Sequence, residues 1–162
     1  MQSTEVHANS GELDRFDLAI LDALSRNGRI SVTELADRIG LSKSPTQARL
    51  KRLEQRGVIL GYAALIDPIR LGRAQVAFVE VRLSDTREAA LHAFNAAVGQ
   101  EPAIEEAHMI AGQFDYLLKV RCANMADYRA VLGSVISDLP HVAATSTYMA
   151  MEAVKEHVIG PA

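Results

Sequence analysis

The chain has 162 residues, 49% apolar and 23% charged, with a formal net charge of −3. That composition excludes a disordered or collagen-like chain and suits one medium domain or two small ones. The single cysteine, Cys122, excludes a disulfide framework and a CxxC metal or redox site, and no apolar run approaches the ~20 residues a membrane span needs.

The first residues are polar and lack the apolar core of a signal peptide. Residues 1–12 are expected to form a flexible tail on a cytoplasmic protein with no membrane contact. Leu13, Phe16, Leu18, Ile20, Leu21 and Leu24 then recur near the helical period, so a first helix is predicted over 13–25. Asp14 suits its cap and Asn27-Gly28 its end. A second helix, capped by Ser31 or Thr33, places Leu35, Ala36 and Ile39 on one face and ends at Gly40. After a four-residue turn, Gly40 to Lys43, Ser44 suits the N-cap and Pro45 the first position of a third helix. That helix runs to Arg56, and Gly57 supplies the break.

The overall charge hides an asymmetry: residues 1–61 carry +1 and residues 62–162 carry −4. Within 38–56, six bases (Arg38, Lys43, Arg49, Lys51, Arg52, Arg56) face one acid, Glu54. Taken alone, that charge describes a solvated helix face. The third helix, however, also separates its sides. Thr46, Leu50, Leu53 and Gly57 fall on a packing side; Ser44, Ala48, Lys51, Arg52 and Gln55 fall opposite, flanked by Gln47 and Arg49. Small and amide side chains for base edges, with cations for phosphates, are what a major-groove helix needs. The expected assignment places Ser44, Gln47, Ala48 and Lys51 on base edges. Lys43, Arg52 and Arg56 hold phosphates, and Thr46 and Arg49 complete the DNA-binding set. A helical hairpin that merely packs on a partner subunit is the alternative.

Val58 to Ile66 reads as one or two short strands, making the N-terminal part, 13–60, a winged helix-turn-helix; 61–74 reads as a linker. From there the order is strand (76–83), helix (87–98), strand (104–110), strand (116–122), helix (125–139), strand (142–154). That βαββαβ order is the ferredoxin-like arrangement over 75–154, with a short tail at 155–162. The fold class is therefore α+β. Between the two middle strands, Gly112-Gln113-Phe114-Asp115 forms a hairpin loop.

Three groups of residues now carry a resemblance. They are Leu13 to Leu21 with Gly28-Arg29-Ile30-Ser31 and Glu34-Leu35-Ala36; the stretch from Leu41 through Arg49-Leu50-Lys51-Arg52-Leu53-Glu54 to Gly57-Val58-Ile59-Leu60-Gly61-Tyr62; and Gly112-Gln113-Phe114-Asp115-Tyr116. Over 13–154 the chain resembles the Lrp/AsnC family of transcription regulators. Gln47 and Ala48 stand where relatives carry other residues, so an operator sequence does not transfer. The resemblance implies a DNA-binding regulator, not an enzyme, with no cofactor. It implies homodimers formed through the C-terminal sheet, assembling into tetramers or octamers on double-stranded DNA at the nucleoid. It further implies an amino-acid effector near Gly112, Phe114, Asp115, Thr145 and Thr147. The segments around His108 to Gly112 and Thr145-Ser146-Thr147 are similar to proline-catabolism regulators, so proline is the expected effector.

The chemistry of that region is consistent. Asp115 offers an acceptor for an ammonium group, amides near Gly112 offer donors for a carboxylate, and Thr145 and Thr147 share one sheet face. Read without the resemblance, a Gly-x-x-Asp hairpin is a turn whose aspartate bonds backbone. His108 and His141 are expected partly buried and metal-free. Met109, Met149 and Met151 are expected to fill core or interface gaps, and Cys122 to behave as a small buried apolar group. Two alternative functions stay open: an enzyme on the ferredoxin-like domain, and a nucleoid-organising DNA-binding protein without a ligand.

Overall fold

The computed structural model describes residues 13–156. The expected tail at 1–12 and the end of the 155–162 tail lie outside the described residues. The chain divides into two compact units between Ala64 and Leu65, inside the expected 61–74 linker.

In the first unit, α1 (Arg15–Arg26), α2 (Val32–Ile39) and α3 (Lys43–Gln55) form the helix-turn-helix. Local chemistry fixes the boundaries of the first two. Asp14 caps α1 by accepting from the Phe16 and Asp17 amides, and Asp17 returns a bond to the Asp14 amide. Ser31 and Glu34 make the same reciprocal box on α2. Gly40 ends α2 at φ 72°, a left-handed conformation that glycine adopts without steric cost. Ile20, Ala23, Leu35 and Leu53 form the buried centre, with Leu24, Ile30, Leu50 and Ile59 packed around it.

Four details depart from the sequence expectations. The turn before α3 is three residues, Gly40 to Ser42, and Ser42 rather than Ser44 is its N-cap. Pro45 consequently sits at the third helical position, where an amide would also lack an intrahelical partner. Leu18, expected on the apolar side of α1, is 55% exposed. The strands expected over Val58–Ile66 do not form. Ile59 turns back onto the helices, but Leu60 is 96% exposed, and a strand needs a pairing edge that this unit does not offer.

The second unit is a four-stranded antiparallel sheet in the order β2-β3-β1-β4, with β1 Gln75–Leu83, β2 Ile104–Met109, β3 Tyr116–Cys122 and β4 Val142–Met149. α4 (Glu88–Val98) and α5 (Met125–Ser134) cover one face. Alternation decides which residues face the helices: Ala77, Val79 and Val81 pair with Val120, Leu118 and Tyr116, and all are buried. Phe94 closes this core, its ring 4.4 Å from that of Tyr116.

The helix expected over 125–139 stops at Ser134 and resumes as a 3-10 turn, Ile136–Asp138. The Ser134 and Ser137 hydroxyls donate to the Ala130 and Leu132 carbonyls, competing with the helical backbone. The last strand ends at Met149 rather than Val154, because its pairing with β1 runs out there.

Candidate DNA-binding face and ligand region

α3 presents one side to solvent. Lys43, Ser44, Gln47, Ala48 and Lys51 are all exposed, and neither lysine has a partner among the described residues. The helix therefore offers a hydroxyl, an amide, a methyl and two free ammonium groups along one side.

Three members of the expected DNA-binding set have other positions. Thr46 is fully buried, and its hydroxyl donates to the Ser42 carbonyl at 2.9 Å. It is a packing residue of the first turn, as its face assignment implied and its inclusion among the contacts did not. Arg49 and Arg52 are not free cations. Both reach across to α1, where Asp17 is 1% exposed. Arg52 Nη2 donates to both carboxylate oxygens of Asp17, at 2.9 and 2.8 Å. Arg49 Nη1 donates to Asp17 at 2.9 Å and to Asp14 at 2.6 Å. The Arg49 guanidinium also lies 5.3 Å from the Phe16 ring centroid.

Burying one carboxylate is costly unless it is paired and hydrogen-bonded, and two guanidiniums do both here. The Asp14 carboxyl is held below its ordinary value, first by the Asp17 amide it accepts from and also by Arg49. Arg56 is exposed and makes its own interactions within the chain. Glu54 accepts the Tyr62 hydroxyl at 2.9 Å, tying the following segment to the helix.

The sequence reading missed Asp17 altogether. The available signal was an acid at helical spacing between Leu13 and Ile20, on the apolar side of α1. An acid there calls for a buried cation.

The ligand region is arranged differently from the expectation. Asp115 is committed to the sheet: its carboxylate accepts the Leu83 amide at 2.7 Å, its own amide donates to Val81, and its carbonyl accepts from Ile110. It thereby ties the hairpin to the end of β1. Thr145 and Thr147 do share a face, paired opposite Val81 and Val79, but it is the helix-covered one. There the Thr147 hydroxyl is hydrogen-bonded to Tyr128 of α5, a buried side chain. Gly112 is exposed, with Ile110 beside it.

The open face holds Glu80, Arg82, Ala144 and Ser146, and these line a recess of about 220 Å³ together with two of the expected residues, Phe114 and Thr145, the latter lying between Ala144 and Ser146 in the strand. Glu80 and Ser146 stand directly opposite each other, as do Arg82 and Ala144. The Tyr148 hydroxyl donates to Glu80 at 3.4 Å, a long contact, and Arg82 has no partner among the described residues.

Elsewhere on that face the charges are paired. Lys119 donates to Glu156 at 2.6 Å and Glu106 at 3.1 Å, and Arg121 bridges Glu105 and Glu156, each at 2.6 Å. Lys119 accordingly holds the Glu156 and Glu106 carboxyls below their ordinary values. His108 and His141 are exposed rather than partly buried. Of the methionines, Met149 packs against the core, whereas Met109 and Met151 are exposed. Cys122 is 1% exposed, and burial pushes its thiol up.

Comparison with known proteins settles the family. Residues 13–59 match the model of a winged helix-turn-helix DNA-binding domain, and residues 76–159 match the Lrp/AsnC ligand-binding domain. The chain belongs to the Lrp/AsnC family. A proline dehydrogenase transcriptional activator of Rhizobium radiobacter is 57% identical over 90% of this chain and 93% of its own. A leucine-responsive regulatory protein of Haemophilus influenzae is 45% identical over 89% and 87%. Among solved structures, the L-Met complex of a Neisseria meningitidis transcriptional regulator superposes with a TM-score of 0.83 at 30% identity, covering 90% of this chain and 94% of the other. Like its relatives, this Lrp/AsnC protein is a DNA-binding transcription regulator with a ligand-binding domain, not an enzyme. No helix among the described residues is long and apolar enough to cross a membrane.

Proposed function

We propose that this Lrp/AsnC regulator reads its operator through the exposed side of α3 and answers to a small amino acid, proline first. The observation that carries the DNA half is the solvent-facing row of Ser44, Gln47, Ala48 and Lys51, with Lys43 at the helix start. Such a row supplies base-edge and phosphate contacts together. Arg52 and Arg56 flank it. Support for the effector comes from the relatives: those at 57% identity are proline dehydrogenase transcriptional activators. The recess beside Phe114 carries both charges that a zwitterion needs, Arg82 for a carboxylate and Glu80 for an ammonium group.

The working unit is a homodimer assembling into a tetramer or octamer on double-stranded DNA in the cytoplasm. Supporting this, Leu60, Leu65 and Ile66 are exposed within one chain, and so are Phe78 and Tyr148 on the open sheet face. A second copy of the chain would cover them. Effector binding shifts the balance between assemblies, and it does so only through different affinity for the two states.

The test is a thermal-shift screen of the full chain against the twenty amino acids, repeated as a gel shift on genomic fragments. Proline is expected to raise the melting temperature by mass action and to alter the gel-shift pattern. A second reading, a ligand-independent nucleoid organiser, draws on the internal commitments of Asp115 and Thr147. It stands if DNA is bound and no amino acid moves either signal.

A further inference from the structure

We propose that Asp17 is a positioning residue for DNA recognition, acting through Arg52, whose guanidinium it holds as a preset phosphate contact at the edge of the α3 reading face. This rests on the reading of α3 as the groove-facing helix.

The two arginines bound by Asp17 are used differently. Arg49 is one-quarter exposed, bonded to two carboxylates and laid beside the Phe16 ring. It is a staple between helices. Arg52 is half exposed and spends a single nitrogen, Nη2, on the Asp17 carboxylate. Its Nε and Nη1 groups have no partner among the described residues, which leaves three N–H donors open on a planar fork already fixed at one corner. An arginine on a bare surface loses rotamer freedom when it grips a phosphate; this one has lost much of it beforehand. Position adds to the case. Arg52 lies one residue after Lys51 and four after Ala48, along the margin of the exposed row.

Charge separates this role from that of the lysines. Asp14 and Asp17 together balance Arg49 and Arg52. The local field of α3 therefore rests on Lys43 and Lys51, and Arg52 contributes a directed hydrogen bond more than a counterion-releasing charge. Neutralising Asp17 has two opposed consequences. The two arginines gain net positive charge, which strengthens attraction to any duplex and steepens its salt dependence. At the same time Arg52 loses its fixed pose, which weakens register on the preferred sequence.

The experiment uses the full-length protein and two duplexes, one enriched from a random pool by the unsubstituted protein and one scrambled from it. Affinities are read by fluorescence anisotropy over a salt series for Asp17→Asn, Arg52→Met and the double variant. With Asp17→Asn, preference for the enriched duplex is expected to fall about tenfold, the size of one lost base pair, while the salt slope stays equal or steepens. In the double variant the loss should not exceed that of Arg52→Met alone, since Asp17 acts through Arg52.

Unchanged preference, an equal weakening on both duplexes that tracks the folded fraction, or fully additive losses would each overturn the proposal. Should Asp17→Asn fail to fold, Arg52→Met decides: a roughly tenfold loss of preference supports it and no loss overturns it. Lys51→Ala, measured alongside, tells the two failures apart. If it too leaves both duplexes bound as before, the reading of α3 has failed; if it weakens the enriched duplex, alone or together with the scrambled one, the fault lies with Asp17 alone.

Discussion

The two units use a carboxylate in opposite ways. In the first, Asp17 is buried and takes two guanidiniums from α3, and the polar side of that helix stays open. In the second, Asp115 is spent on the backbone amide of Leu83, and Thr147 on Tyr128. A helix sorts packing and reaching side chains onto different faces. A sheet edge asks its polar residues to hold strands and helices together. A residue type suited to a ligand is therefore weaker evidence on a hairpin than on an exposed helical stripe.

The comparison breaks first at the scaffold. Leu53 is fully buried beneath the α3 stripe, so Leu53→Ala is expected to cost about 2–5 kcal/mol, the usual range for a core truncation. Chemical denaturation should show it as a lower midpoint, and DNA binding should fall with the folded fraction. A loss below about 0.5 kcal/mol, the size of an ordinary surface substitution, would mean that α3 is not held by this core.

The next effects sharpen the contrast between holding and reaching. Asp115→Ala leaves the Leu83 amide unpaired and Thr147→Val leaves the Tyr128 hydroxyl unpaired. Each is expected to cost about 1–3 kcal/mol in the same denaturation series. Lys51→Ala, on the reaching side, should stay within about 0.5 kcal/mol. If Asp115→Ala left stability unchanged but abolished proline binding by calorimetry, Asp115 would be a ligand residue after all.

The smallest effect is a titration. Asp85 is bonded by Arg87, which lowers its carboxyl from 3.8 to about 2. Since the folded-state value is depressed, the stabilisation is present above the ordinary value of 3.8 and is lost as pH falls through about 2. In Arg87→Ala, NMR should show Asp85 titrating closer to its ordinary value. An unchanged midpoint would remove Arg87 as the cause.

Much of this was legible beforehand. The helical period located α1 to α3, and the caps at Asp14 and Gly40 follow from residue chemistry; for α2 the sequence offered Ser31 or Thr33, and the reciprocal bond with Glu34 selects Ser31. The βαββαβ order came from alternation and turn residues. What stayed hidden depends on tertiary geometry. Two serines precede Pro45, and proline is tolerated throughout a first turn, so the start of α3 was ambiguous by two residues. Arg49 and Arg52 read as free cations because their acids lie more than thirty residues away. Spacing placed Thr145 and Thr147 on one face, but only the register with Val81 and Val79 shows that the helices cover it. For the same reason Glu80, Arg82 and Ser146 were not foreseen as neighbours.

The most direct test is the salt dependence of DNA binding by the full chain, with and without Lys43→Ala and Lys51→Ala together. If both ammonium groups meet phosphates or bases, affinity should drop on every duplex and the slope of log affinity against log salt should shrink by about 2. An unchanged slope and affinity would contradict the assignment of this side of α3 to DNA.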